Sequence, residues 1–226
     1  VVSEVVRNFI DNPQWGMLYG DCWIVNEKGE RKNRDGYLDN LPAIPFNINS
    51  FLLRNHIGQP ASFFKKEAVL EVGGLIEKLH YGMDFDLFAK IGLRFKIGNL
   101  HNVPLAKFRV HSKAITYKLG ISYVEEMSLL FKQITSNKLF PDSSKNVLNV
   151  VLSNLYFEQA GRYISYTEHK KARHFLWKSI WKYPGIIRMK GISKFTSIVF
   201  WSLIGERKTK FAIRIKKYIK DYVGFK

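Results

Sequence analysis

EVGGLIEKLHYGMDFDLFAKIG, residues 71–92, places two glycines before an apolar pair and two aspartates at the head of a short apolar run. The run FDLFAKIG has helical apolar spacing and predicts a helix that ends at Gly92. Asp84 and Asp86 then lie at the helix start, where carboxylates stabilise free N–H groups and the helix dipole. That structural role is one explanation of the pair. A chemical role is the other, and the order of the surrounding motifs bears on the choice.

The composition is that of a folded chain. Its 226 residues are 46% hydrophobic and 15% aromatic, which suffices for one large domain or one and a half small ones. The single cysteine, Cys22, excludes an internal disulfide framework and a multi-cysteine metal site, and fits a reducing compartment. His56, His80 and His101 lack ligand spacing, so a self-contained metal site is not expected.

The positive charge is concentrated near the C-terminus. The net charge is +17, and from Ala160 onward there are 17 Lys or Arg against 3 Asp or Glu. The preceding 159 residues hold 19 basic and 16 acidic groups. An interaction with nucleic acid or with a membrane is therefore expected in the C-terminal third.

The first 118 residues read as a mixed α/β part. They begin with an amphipathic helix that carries Val2, Val5, Val6 and Phe9 on one face and ends at Asn12-Pro13. This opening has neither an initiator Met nor a signal peptide, so we expect a chain cut from a longer protein. The remaining predicted elements are a strand at 16–25, a long loop with a short helix at 48–54, a helix from Lys65 to Gly73-Gly74, and strand-like segments at 94–100 and 104–111.

Residues 119–190 read as a helical region and residues 191–226 as a basic amphipathic tail. Three helical patterns are predicted, with caps at Ser122 and Ser143/Ser144 and a stop at Pro184. One tetratricopeptide-like helix pair is not an array, since about three repeats are needed for stability, so a helical hairpin packed on its own domain is expected. The matching positions are Tyr156, Ala160, Tyr163, Ala172, Leu176, Ser179 and Pro184.

Four motifs follow one another in the α/β part: YGD at 19–21, GQPASFF at 58–64, the segment 72–92, and LAKFRVHSKAIT at 105–116. This succession resembles the C-terminal half of family 2 glycosyltransferases, nucleotide-sugar enzymes with the GT-A fold, over residues 1–118. The family's acidic pair is often written E-D-x-D-L, and here Met83 replaces the first acid. The implied fold is a partial GT-A-like α/β domain with a mixed sheet and without its donor half.

The resemblance implies a role for each matching residue. Asp84 would be the catalytic base, because a sugar hydroxyl is a poor nucleophile until a positioned group removes its proton. Asp86 would be structural, capping the helix and holding the loop. His111 would approach the diphosphate or its metal, Arg109 would neutralise phosphate oxygens, and Gln59 and Ser62 would face the acceptor pocket.

The family also implies a donor side that this sequence lacks. There, a D-x-D motif holds Mg²⁺ or Mn²⁺ on the diphosphate, but no D-x-D lies between Val1 and Asp21, and the neighbours Gly20 and Cys22 are not ligands. We therefore expect the acceptor half of an inverting enzyme of bacterial surface-glycan synthesis, with a nucleotide-sugar donor and a glycan or lipid-linked acceptor. Alone, it is expected to be inactive and to bind no cofactor, and His111 is a metal neighbour only beside a D-x-D.

The tail supports more than one interpretation. Its apolar stretch 195–205 is about half the ~20 residues that cross a bilayer, so a transmembrane span is rejected. An interfacial helix on an anionic membrane and a helix docked on the domain both stay open, and the family analogy favours a cytoplasmic protein peripheral to the inner face of the membrane. Nucleic-acid binding ranks behind both as an interpretation of the tail. For the chain as a whole, the alternative from another class of function is a non-catalytic helical adaptor. The apolar stripe is Phe211, Ile215, Tyr218, Ile219, Tyr222 and Val223, and the cations beside it are Arg214, Lys216, Lys217 and Lys220.

Overall fold

The computed structural model describes residues 1–31, 40–111 and 121–203. Within these ranges the chain is mixed α/β, with nine α-helices and one open four-stranded sheet, so the predicted α/β class is confirmed at this level. The described residues form two compact units. One contains residues 1–31, 40–111 and 129–145, and the other contains residues 121–128 and 146–203. The predicted boundary at residue 118 lies outside the described residues.

The sheet is organised around one long strand, β1. Strand β4 pairs with β1 in parallel along its length, whereas β2 and β3 pair with β1 antiparallel. Because a strand has two edges and β4 occupies one, β2 and β3 share the other. The first helix and the strands are α1 (Val2–Asp11), β1 (Trp15–Val25), β2 (Asn40–Leu41), β3 (Ser62–Phe64) and β4 (Lys96–Arg109).

The parallel pair β1 and β4 needs a crossover connection, and three helices occur within it: α2 (Ile48–Leu53), α3 (Lys66–Glu71) and α4 (Met83–Arg94). Aromatic rings fix α4 against its neighbours. Phe51 of α2 stacks on Phe85 with ring centroids 4.4 Å apart, and Phe64 of β3 lies 5.9 Å from Phe88. These contacts place the start of α4 beside α2.

The strand β4 corrects one prediction, because the two expected strand segments form a single strand. Gly20 pairs with Leu100 but Asp21 pairs with Pro104, so β4 bulges between these pairs. A Cβ on Gly20 would lie 2.4 Å from the side chain of Leu105 and 2.6 Å from the carbonyl oxygen of Val103. Glycine is thus required where the bulge closes on β1.

Two further element predictions are corrected. Helix α4 does not end at Gly92 but continues to Arg94, and a Cβ on Gly92 would lie 2.4 Å from the ring of Phe46. This glycine therefore serves close packing inside the helix. The segment predicted as a loop around one short helix also contains the two-residue strand β2.

Between residues 121 and 182 the described chain is mainly helical, as predicted. Helices α6 and α7 approach closely because Ser153 and Ser179 each donate a hydroxyl hydrogen bond to the other's carbonyl oxygen, both at 2.8 Å. Helices α8 and α9 were not predicted. None of the helices in the described ranges is long and apolar enough to cross a bilayer. The helices are α5 (Ile121–Thr135), α6 (Lys145–Ser165), α7 (His169–Lys182), α8 (Ile186–Lys190) and α9 (Ile192–Leu203).

Candidate active site

Asp84 lies in the first turn of α4, which begins directly after Gly82, and Gly82 adopts the left-handed conformation at φ +64°. Its side chain is half-buried, and Oδ1 accepts a hydrogen bond from the Phe85 N–H at 2.8 Å. No cation of the described residues forms an ion pair with this carboxylate. Asp84 therefore presents a carboxylate with one oxygen held in place and with access to solvent.

The direction of α4 brings Asp84 towards one edge of the sheet. Strands β1 and β4 are parallel, so their carboxyl ends meet at the same edge. Helix α4 packs against β4 and is joined to it by the single residue Phe95. The helix therefore runs in the opposite direction to β4, and its N-terminus points towards the edge where β4 ends. In open α/β sheets, ligands bind in the crevice outside the carboxyl ends of the strands.

Asp86 differs from its predicted role as a helix cap. The N-cap position is Gly82, no side chain caps α4, and Asp86 is fully buried. Its Oδ2 lies 2.5 Å from Nζ of Lys90, one helical turn further along, without hydrogen-bond geometry. The capping assignment is therefore wrong, and Asp86 instead forms a buried ion pair that supports the first turns of α4.

The two aspartates also cannot chelate one ion together. Asp84 is half-exposed whereas Asp86 is buried against Lys90, as two positions about 200° apart on a helix require. Among residues 1–31, 40–111 and 121–203, no three His, Cys, Asp or Glu side chains form a group that could hold a metal ion. The described residues therefore do not fit a hard-cation site.

Arg109 and His111 lie at the carboxyl end of β4. Arg109 is exposed, and its Nη1 donates hydrogen bonds to the carbonyl oxygens of Asn26, at 3.4 Å, and Glu27. It thus holds the turn that follows β1. His111 is half-buried just beyond the strand. No hydrogen bond or ion pair within the described ranges joins either residue to Asp84.

Gln59 and Ser62 lie around a single 3₁₀ turn, Gln59–Ala61, before β3. The Ser62 hydroxyl donates to the Gln59 carbonyl oxygen at 2.7 Å, and the Gln59 side chain is exposed. The hydroxyl proton of Ser62 thus stabilises its own turn. The predicted membrane-surface cations Arg214, Lys216, Lys217 and Lys220 lie outside the described residues.

The sequence did not predict a polar cluster around Asp21 in the middle of β1. Asp21 is buried, and its oxygens accept hydrogen bonds from the Ala43 N–H at 2.8 Å and the Asn40 side chain at 3.0 Å. His101 Nδ1 lies 3.2 Å from the carbonyl oxygen of Ala43. In the sequence, the only sign of this cluster is a carboxylate within an apolar strand. In the structure, Asp21 fixes residues 40–43 on the sheet.

His56 lies between aromatic rings near this cluster. Its ring centroid is 6.2 Å from that of Tyr19 and 6.0 Å from that of Phe51. Burial lowers the pKa of His56 and outweighs the hydrogen bond to the Arg54 carbonyl oxygen, which raises it. Burial also raises the pKa of Tyr19, whose hydroxyl donates to the carbonyl oxygen of Ile44.

No family model, curated protein or solved structure matches this chain.

Proposed function

We propose that this chain supplies the acceptor side and the catalytic base of an inverting glycosyltransferase with a GT-A-like domain. The enzyme would transfer a sugar from a nucleotide-activated donor to a hydroxyl of a glycan or lipid-linked acceptor in bacterial surface-glycan synthesis. The observation that carries the proposal is the half-buried carboxylate of Asp84, which has no paired cation among the described residues and lies at the start of α4.

Asp84 would act as a general base. It would accept the proton of the acceptor hydroxyl while the oxygen attacks the anomeric carbon, and the nucleoside diphosphate would leave from the opposite face. Direct displacement of this kind inverts the anomeric configuration. The buried pair of Asp86 and Lys90 would hold the first turns of α4, and with them Asp84, in a fixed position.

The residues of this chain define the donor side less well than the acceptor side. In the family a D-x-D motif binds Mg²⁺ or Mn²⁺, but here both oxygens of Asp21 accept hydrogen bonds and Asp86 is buried against Lys90. These residues do not fit a hard cation, so we derive no step through a metal. Arg109 and His111, at the carboxyl end of β4, are the described groups that would approach the diphosphate.

Substitution of Asp84 tests the proposal. In the complete gene product, Asp84→Asn is expected to lower transfer at least ~10²-fold, the usual scale for loss of a general base, while folding and donor binding persist. Transfer is measured as release of nucleoside diphosphate from a panel of UDP-, GDP- and dTDP-sugars with membrane extract as the acceptor source. Asp11→Asn, at the exposed end of α1, is the matched control and should leave the rate unchanged. Near-wild-type turnover by the Asp84 variant would remove Asp84 as the base.

We also propose a cytoplasmic location at the inner face of the membrane, with the tail helix 211–223 on an anionic surface. What supports it is the arrangement of the sequence, in which an apolar stripe lies beside Arg214, Lys216, Lys217 and Lys220.

A further inference from the structure

Helix α7 exposes two tryptophans on the side that faces away from its own core. The exposed fractions of Trp177 and Trp181 are 70% and 89%, and the two residues are one helical turn apart. The buried residues Ala172, Leu176 and Ser179 lie on the opposite side of the helix. Tryptophan is highly buried on average, so two neighbouring exposed tryptophans indicate a surface that binds a partner. We call this surface the tryptophan face, and Lys170 lies on the same side of the helix. The exposed Lys178 and Lys182 form its border, with Nζ of Lys178 5.8 Å from the ring of Tyr156 and 5.2 Å from that of Phe175.

The helices from α7 to α9 carry more positive charge than nearby carboxylates neutralise. Glu168, the N-cap residue of α7, pairs with Lys171 at 2.6 Å. Residues 169–203 contain eight Lys or Arg and no Asp or Glu. Lys190 and Lys194 are partly neutralised by Glu158 of α6, at 2.8 and 3.4 Å. Within the described part of the chain, no carboxylate forms an ion pair with the three lysines of the tryptophan face. The exposed aromatic rings therefore lie in a positive field.

Helices α8 and α9 also expose apolar side chains. The exposed fractions of Met189, Ile192, Phe200 and Leu203 are 49%, 71%, 57% and 68%. The side chains of Met189, Ile192 and Leu203 gain free energy when they enter a hydrocarbon phase, and, unlike the ring of Phe200, they offer no flat surface for stacking on a nucleic-acid base.

We propose that the tryptophan face of α7 binds the surface of an anionic lipid bilayer. Tryptophan prefers the boundary between headgroups and acyl chains, because one edge of its ring is apolar and its N–H needs a polar partner. Lysines beside it are attracted to anionic headgroups while their stems lie along the apolar layer. This site is separate in sequence from residues 211–223 and does not depend on transferase activity.

A bilayer suits the face better than two other partners. A second copy packed about a two-fold axis would bring two lysine-bearing faces together, and like charges disfavour such a contact. A single-stranded nucleic acid is normally bound in a basic groove, whereas the tryptophan face is the outer surface of a helix.

Sedimentation of the whole chain with vesicles tests the proposal. The protein should bind vesicles of phosphatidylcholine with phosphatidylglycerol and bind pure phosphatidylcholine much less, and salt should weaken binding. Trp177→Ser/Trp181→Ser should lower the partition coefficient by about tenfold or more, because the inserted apolar area is lost. Lys170→Gln/Lys178→Gln/Lys182→Gln should lower it too, by up to about fivefold per lysine. The matched control is Leu70→Ser/Leu75→Ser, which removes two exposed apolar side chains near α3 and should leave binding unchanged.

Further measurements separate the alternatives. Anionic vesicles should shift tryptophan emission to shorter wavelength and protect it from acrylamide in the wild type, and this change should be lost in the double tryptophan variant. If Ile215→Ser/Ile219→Ser abolishes binding while the tryptophan and lysine variants bind as the wild type does, the tail alone is the membrane site and the proposal fails. It fails equally if vesicles do not bind and the double variant only dissociates a dimer or releases single-stranded DNA. If the tryptophan variant misfolds, the lysine variant decides: unchanged binding overturns the proposal.

Discussion

At the scale of single residues, the ion pair between Asp86 and Lys90 is the most consequential contact near the proposed base. Asp86 is fully buried and the Lys90 side chain is 20% exposed. Lys90→Met would leave an unpaired buried carboxylate and is expected to lower the free energy of unfolding by about 3 kcal/mol. Asp86→Asn should cost less, about 1 kcal/mol, because Lys90 reaches solvent. Urea unfolding of both variants measures these differences.

The double variant and a surface pair provide the controls. Replacing both partners together, as Asp86→Leu/Lys90→Met, is expected to restore most of the stability, because a buried ion pair and an apolar pair of similar volume are often equivalent. The exposed pair of Glu71 and Arg94 should contribute under about 1 kcal/mol, so Arg94→Met serves as the matched comparison. Equal effects of Lys90→Met and Arg94→Met would contradict the buried-pair interpretation.

His56 gives the protein a predicted pH dependence. Burial lowers the pKa of His56 below the unfolded value of 6.5, so in mildly acidic solution the unfolded chain binds a proton that the folded chain does not. The stability contributed by neutral His56 is therefore present above about pH 6.5 and is lost as the pH falls below it. Its Nε2 has no hydrogen-bond partner, which adds to the cost of a charged ring.

The change in the free energy of unfolding between pH 7.5 and pH 5.5 measures this effect. The wild type should lose more stability over this interval than His56→Gln does. His174→Gln, which alters an exposed histidine of α7, should behave as the wild type. A wild-type profile that matches the His56 variant would show that this histidine does not couple to folding.

The sequence predicted single residues unevenly. The place of Asp84 in the first turn of a helix follows from the local apolar spacing, which needs no knowledge of distant segments. The burial of Asp86 follows from the same helix only once its inner face is known, because two residues along a helix turn the side chain to the other side. The role of Asp21 depends on Ala43, 22 residues later, and no local pattern reports that contact.

At the scale of elements, the contact between α6 and α7 depends on small side chains. Ser153 and Ser179 are both buried, and their hydroxyls bond reciprocally to the facing carbonyl oxygens. Ser179→Leu would force the helices apart and is expected to cost about 1–3 kcal/mol in the free energy of unfolding. Ser153→Ala should cost about 1 kcal/mol, for the loss of one hydrogen bond.

Urea titration followed by far-UV circular dichroism tests this contact. Ser193→Leu introduces the same side chain at an exposed position of α9 and should change stability by no more than about 0.5 kcal/mol. If Ser179→Leu is as stable as Ser193→Leu, the two helices are not held at the distance that the reciprocal bonds require.

Elements were predicted best where periodicity is local and worst where a partner defines them. The helices α6 and α7 follow from their apolar spacing and from the stop at Pro184. The sequence could not predict that β4 is one continuous strand, because its bulge is defined by the partner strand β1. Gly92 was misassigned as a terminator because a glycine used for packing against Phe46 has the same local sequence signal as one that ends a helix.

At the scale of the whole molecule, positive charge and the proposed base belong to different parts of the chain. Asp84 lies in the unit that contains the sheet, whereas the cations of residues 169–203 belong to the helical unit. Composition alone predicted this separation, since charge counts need no fold. It did not predict which helix carries the exposed tryptophans, because that depends on which side of α7 packs against α6.

The distribution of carboxylates leads to the last prediction, which concerns the donor. A nucleoside diphosphate with Mn²⁺ or Mg²⁺ needs several oxygen ligands at one place, and among the described residues Asp21 and Asp86 are already engaged. Residues 1–226 are therefore expected to bind UDP or GDP with Mn²⁺ no more tightly than about 1 mM, a free energy of about −4 kcal/mol.

Isothermal titration calorimetry with UDP and GDP, each with and without MnCl₂, measures this affinity. Asp84→Asn should leave the weak signal unchanged, because in our proposal this carboxylate meets the acceptor and not the donor. Micromolar, metal-dependent binding would place a donor site within these residues. If Asp84→Asn then abolished that binding, Asp84 would be a metal ligand, and the assignment of the base would have to move to another residue.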